Sequence, residues 1–74
     1  MKDIYLNGTK YKVYNIIIEG NDITIEYNRD NELMELFNKF QNETERKLKY
    51  NNKEYNIIQS NLGTGTNLWE LTYG

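Results

Sequence analysis

The chain of 74 residues contains no cysteine and no histidine. Without cysteine it has no disulfide and no thiolate, so its stability must come from packing or from a partner subunit. Without histidine it lacks the side chain that most often moves protons near neutral pH, and the commonest zinc ligands are missing with these two residue types. These absences exclude thiol and histidine catalysis, and they predict a protein with no metal site and no cofactor.

The chain also lacks a strong net charge and long apolar runs. Nine basic residues stand against eleven acidic ones, which gives a formal net charge of −2 at pH 7. Binding to nucleic acid without sequence preference relies on a broad basic surface, which this balance disfavours, and the charge is far too small for a mimic of DNA. No apolar run has the length of a signal peptide or a membrane span. The sequence therefore predicts a cytoplasmic protein without membrane association.

The remaining composition predicts the source of the chain. Alanine and proline are absent and arginine occurs twice, whereas there are twelve Asn, eight Ile and seven Lys residues. This bias favours amino acids with A- and T-rich codons, which is typical of an AT-rich genome. A chain this short in such a genome is typical of phages and other mobile elements. We therefore expect a bacterial mobile-element product, which would act in the host cytoplasm if it is phage-encoded.

Residues 1–28 have the pattern of three antiparallel strands. Apolar and polar residues alternate on both sides of Asn7-Gly8, a dipeptide that favours a two-residue hairpin because both turn positions need a positive φ. The alternation fails in "VYNIII", residues 13–18, where either a bulge near Asn15 or burial of both faces would explain it. The hairpin sets the opposed pairs of the first two strands: Leu6 and Thr9, Tyr5 and Lys10, Ile4 and Tyr11, and Asp3 and Lys12.

Residues 30–42 change to the period of a helix. Four apolar residues recur at helical spacing on one stripe, and Asp30 or Asn31 is expected to cap the first turn. The residues of the stripe are Leu33, Leu36, Phe37 and Phe40.

Residues 44–74 predict a second three-stranded meander. Asn51-Asn52 is a turn able to adopt positive φ, and pairing of its flanks places Lys49 opposite Glu54. The opposite charges of this pair support the register that the apolar pattern gives. The last strand is "LWELTY".

The two meanders resemble each other. "IYLNGTKYKV" begins at residue 4 and "LKYNNKEYNI" at residue 48, and "ITIEY" in the first half corresponds to "LWELTY" in the second. Duplication or chance would explain the likeness. The sequence predicts one α+β domain, residues 1–74, in the order βββαβββ, with two antiparallel three-stranded meanders and one helix packed on a sheet face.

Two features suggest chemistry, but each has a simpler structural explanation. Glu26 and Glu70 occupy matched strands, yet a hydrolase needs two carboxyls held in a cleft, for which a domain this thin has little room. The loop at residues 63–67, "GTGTN", resembles a phosphate cradle. It leads into a strand rather than a helix, which favours a hairpin loop, and whether it binds a small ligand stays open.

A basic and aromatic surface is the stronger candidate for binding. Lysines interleave with tyrosines as in single-stranded nucleic-acid binding, although Asp3 and Glu54 are expected to neutralise part of this surface. Trp69 and Tyr73 share one face of the last strand. Either they pack under the helix, which the area favours, or they form an exposed patch for a partner. The candidate binding residues are Tyr5, Lys10, Lys12, Tyr14, Lys47, Lys49, Trp69 and Tyr73.

These features together predict a non-enzymatic protein that binds or inhibits another protein. The chain has no catalytic set, little core for a cleft, many aromatics and open sheet edges that self-associate or add to a partner's sheet. The alternatives are a self-assembling structural subunit of the virion type and a module for single-stranded nucleic acid or a nucleotide. The expected partner is another protein of unknown identity, with a homo-oligomer through the sheet edges as a further expectation.

Overall fold

The computed structural model describes residues 1–28, 30–63 and 66–74, which form seven strands and one helix. The helix, α1, spans Asn31–Gln41 and follows the first four strands. The strands are β1 (Lys2–Leu6), β2 (Thr9–Val13), β3 (Asn15–Glu19), β4 (Asp22–Glu26), β5 (Lys47–Tyr50), β6 (Lys53–Leu62) and β7 (Leu68–Tyr73).

Both predicted asparagine turns form, and they set the registers of their hairpins. Asn7 and Gly8 have φ angles of 49° and 86°, and Asn51 and Asn52 have φ angles of 50° and 63°. The left-handed region is least costly for glycine and asparagine, which is why these residues stand there. The predicted pairing of β1 with β2 and of β5 with β6 is confirmed, including Lys49 opposite Glu54.

All seven strands belong to one antiparallel sheet in the order β2-β1-β5-β6-β7-β4-β3. The α+β class is confirmed. The predicted order βββαβββ is matched only loosely, because the second predicted strand is interrupted at Tyr14 and becomes β2 and β3. The two meanders also join edge to edge through β1–β5 and β4–β7, so they share a sheet.

Two irregularities turn the sheet around its core, one at Tyr14 between β2 and β3 and one within β6. Val13 and Ile16 are both buried while the two residues between them are exposed, so the side-chain alternation shifts by one residue at Tyr14. Of the two explanations that the sequence leaves open, this shift matches an irregularity near Asn15, whereas the exposed Ile17 contradicts burial of both faces. The register of β6 shifts between Ile57 and Gln59. Because the two edge strands β2 and β3 are joined by a single residue, the ends of the sheet must curl toward each other.

The helix begins and ends as its sequence predicts. The Asp30 carboxylate caps the first turn by accepting a hydrogen bond from the Leu33 N–H at 2.8 Å, and Asn42 is the C-cap. Phe37 and Phe40 point into the core against Trp69, at ring-centroid distances of 3.9 and 5.6 Å. In the described residues no helix has the length and apolar character to cross a membrane.

The two halves of the chain pair with each other through equivalent strands. In β1–β5 the residue opposite Tyr5 is Lys49, which is also its counterpart in the sequence repeat. In β4–β7 Thr24 lies opposite Glu70, again its counterpart when "ITIEY" is aligned with "WELTY". The likeness of the two halves in sequence is therefore matched by the way their strands pair.

Tyr27 and Tyr73 occupy equivalent positions in the two halves but differ in the hydrogen bonding of their hydroxyl groups. Tyr27 is fully buried, and its hydroxyl has no hydrogen-bond partner in the described residues, whereas the Tyr73 hydroxyl donates to the Gly20 carbonyl. An unpaired buried polar group costs about 1–3 kcal/mol. We expect Tyr27→Phe to raise the free energy of unfolding by about 1 kcal/mol and Tyr73→Phe to lower it by about 1 kcal/mol. Urea denaturation measures both, and equal losses would contradict this assignment.

Candidate functional site

The outer side of strands β1, β2 and β5 gathers five of the predicted binding residues. Inward-pointing residues of these strands join the core, so the alternating residues face outward without a covering layer. Tyr5 lies opposite Lys10 on one side and opposite Lys49 on the other, which places an aromatic ring between two lysines. We name this surface the lysine–tyrosine face, and it consists of Tyr5, Lys10, Lys12, Lys47 and Lys49.

Carboxylates hold three of the four lysines of this face. Asp3 contacts the Nζ atoms of Lys12 and Lys10 at 3.1 and 3.5 Å, and these two lysines lower its pKa below the ordinary value, chiefly through the hydrogen bond from Lys12. Glu54 lies opposite Lys49 in the ladder, but its carboxylate contacts the diagonal neighbour, Lys47, at 3.6 Å. Lys49 has no ion pair in the described part of the chain. Among the four lysines of this face, Lys49 is therefore the one most available to a partner.

The other three predicted binding residues lie elsewhere. Tyr14 occupies the corner between β2 and β3 and is 48% exposed. Trp69 is fully buried, stacks on Phe37 and donates from Nε1 to the Ser60 hydroxyl at 2.7 Å. Tyr73 is half-buried and packs against the core. The exposed-patch alternative for these two residues is therefore corrected, because the large ring of Trp69 lies under the helix, as its area favours.

The outer side of β3, β4 and β7 is acidic, which the sequence reading did not anticipate. Its outward positions carry four carboxylates and no lysine or arginine: Glu19, Asp22, Glu26 and Glu70. The outer surface of one sheet is thus divided into a basic half and an acidic half. The signal was present in the sequence, since the outward positions of each strand follow from alternation. Only the sheet order shows which strands lie side by side.

The two carboxylates considered for catalysis, Glu26 and Glu70, are both exposed on this acidic half. They are diagonal neighbours across the β4–β7 ladder. A shallow groove of about 330 Å³ there is lined by Glu70 but not by Glu26. Its other polar side chains are Asp22, Thr24, Gln59, Asn61 and Thr72. The groove offers hydrogen-bonding groups on an open surface rather than two carboxyls facing each other in a cleft.

A second groove lies beside the helix, away from the acidic half of the sheet. The groove measures about 210 Å³ and separates the C-terminal half of α1 from the first hairpin. In the loop at residues 63–67, residues 64 and 65 lie outside the described residues. No group of three potential metal ligands occurs in the part of the chain that the structure describes.

No family model, curated protein or solved structure matches the chain significantly.

Proposed function

We propose that this chain is a small non-enzymatic binding protein that holds a partner protein against the lysine–tyrosine face. The observation that carries the proposal is the row Lys10–Tyr5–Lys49, which crosses three neighbouring strands on an uncovered sheet surface. Tyrosine supplies a large contact area at a small entropic cost, and flanking cations add attraction to an acidic partner. The proposed partner surface is therefore acidic, with an apolar centre.

The ion pairs of the face support this use in two ways. Asp3 and Glu54 restrain three long lysine side chains, so binding would immobilise fewer free rotamers. The face also keeps a local excess of positive charge, four lysines against two carboxylates, although the whole chain has a net charge of −2. A local basic surface on an acidic protein selects partners by their charge pattern.

The proposal is tested by a matched pair of double variants. Lys10→Gln with Lys49→Gln removes two charges from the face, and Lys39→Gln with Lys53→Gln removes two charges elsewhere. Each variant is immobilised as bait for cell proteins from an AT-rich bacterium and from its phage-infected culture. We expect the face variant to lose a partner that wild type and control variant retain. A partner captured equally by all three would refute the assignment of this face.

A second candidate, binding of single-stranded nucleic acid, is favoured by one observation. Tyr5 is exposed between two lysines, and stacking of a base on a tyrosine flanked by cations tolerates any sequence. The net charge of −2 disfavours it, because nucleic-acid binding without sequence preference relies on a broad basic surface. Anisotropy of a labelled oligothymidine at low salt decides the matter. Binding that is lost in Tyr5→Ala supports this candidate, and no binding at low salt eliminates it.

A further inference from the structure

The two edge strands of the sheet differ in how they are protected. On their outer sides neither β2 nor β3 has a strand partner among the described residues. Such an edge is a template for another strand unless charges, proline or a bulge block it. β2 carries Lys10 and Lys12, which are common edge protectors. β3 has the sequence "NIIIE", with no lysine, no proline and a regular ladder to β4, and its central Ile17 is 49% exposed.

We infer that β3 is the site at which two copies of this chain pair. An antiparallel pairing centred on Ile17 places that residue opposite Ile17 of the partner subunit. It also places Ile16 opposite the partner's Ile18, and Asn15 opposite the partner's Glu19. The centre of the interface is then entirely β-branched and apolar, and each carboxylate meets an amide rather than a second carboxylate. The strand is therefore complementary to itself.

The charges of the other edge strand, β2, oppose an antiparallel pairing with the β2 of a second copy. An antiparallel self-pairing of β2 about its centre, Tyr11, places Lys10 opposite Lys12 of the partner subunit, twice in each dimer. Like charges directly opposite each other destabilise a ladder. The charges of the two edges therefore select β3 rather than β2 for contact with a second copy.

The pairing also continues a pattern within the fold. Both contacts between the two halves, β1–β5 and β4–β7, are antiparallel and join equivalent strands. The proposed dimer repeats this geometry between chains and joins the two sheets through β3. The interface is small, because a strand of five residues is only about 17 Å long. Interfaces of this size form weak dimers, so association is expected at high protein concentration.

Analytical ultracentrifugation from about 10 μM to about 1 mM covers the range of weak association expected for so small an interface. We expect wild type to form a dimer in this range and Ile17→Lys to weaken dimerisation about tenfold or more. Ile58→Lys is the matched control, because Ile58 is 59% exposed on the internal strand β6 and its variant should dimerise like wild type. A wild-type monomer throughout, or an Ile17→Lys dimer of undiminished affinity, overturns the inference.

Cysteine cross-linking tests the register without relying on the lysine variant. The chain has no cysteine, so Ile17→Cys can form a disulfide only between chains. Opposed residues of an antiparallel pair have Cα atoms about 4.5–5.5 Å apart, within the range of a disulfide. Mild oxidation should cross-link Ile17→Cys at least tenfold faster than Ile58→Cys. Equal rates overturn the register. The Lys10→Gln, Lys49→Gln double variant should dimerise like wild type, because these lysines lie on β2 and β5 and not on β3. This result would show that the dimer contact is independent of the lysine–tyrosine face.

Discussion

Replacing Trp69 with alanine is expected to lower the free energy of unfolding of this domain by about 3–5 kcal/mol. The indole is fully buried, stacks on Phe37, contacts Phe40 edge-on and donates a hydrogen bond to Ser60. Truncation of a buried tryptophan or phenylalanine costs about 3–5 kcal/mol. A chain of 74 residues has a free energy of unfolding of about 4–11 kcal/mol at ordinary values per residue. The variant should therefore lose between about a quarter and all of its free energy of unfolding.

Urea denaturation followed by far-UV circular dichroism measures this loss, since the variant lacks the only tryptophan fluorophore. Trp69→Phe should lose about 1–2 kcal/mol, because it keeps an aromatic ring against Phe37 but leaves a cavity and removes the bond to Ser60. Tyr14→Ala, at an exposed corner, should change stability by about 0.5 kcal/mol or less. A Trp69→Ala variant within about 1 kcal/mol of wild type would contradict the central position of the indole.

The elements that the sequence predicted well are those decided by neighbours along the chain. The Asn7-Gly8 turn fixes the register of the first hairpin by itself, because a two-residue loop leaves no freedom in pairing. The stripe ending at Phe40 identifies the helix, and Asp30 identifies its first turn. For Trp69 the sequence leaves two alternatives open, and the area of the ring favours the buried position that the structure shows.

The sheet order and half of the candidate site depend on contacts that no local pattern encodes. The alternation of apolar and polar residues shows which face of β1 is exposed to solvent. It does not show which strand lies beside β1. That Lys49 lies next to Tyr5 follows only from the β1–β5 pairing. The division of the outer surface into basic and acidic halves follows from the same long-range pairings. For the same reason the sequence predicted open edges without showing that Ile17 lies on one of them.

Replacing Asn7 with alanine is expected to lower the free energy of unfolding by about 2–4 kcal/mol, an unusually large effect for an exposed turn residue. Its side chain donates to the Glu45 carbonyl at 2.9 Å and accepts from the Lys47 N–H at 2.8 Å. These bonds fasten the first hairpin to the chain entering β5, and so join the two halves. Alanine removes both bonds and also holds a left-handed φ that costs about 1–2 kcal/mol.

Asn51, the counterpart of Asn7 in the second hairpin, separates these two contributions. It has nearly the same φ, 50° against 49°, but its side chain makes no hydrogen bond within the described residues. Asn51→Ala should therefore lower the free energy of unfolding only by the backbone penalty, about 1–2 kcal/mol. Asn7→Gly relieves the backbone and should lose only the two side-chain hydrogen bonds, which also contribute about 1–2 kcal/mol. Urea denaturation of the three variants measures both. Equal losses for Asn7→Ala and Asn51→Ala would show that the side chain of Asn7 does not join the two halves.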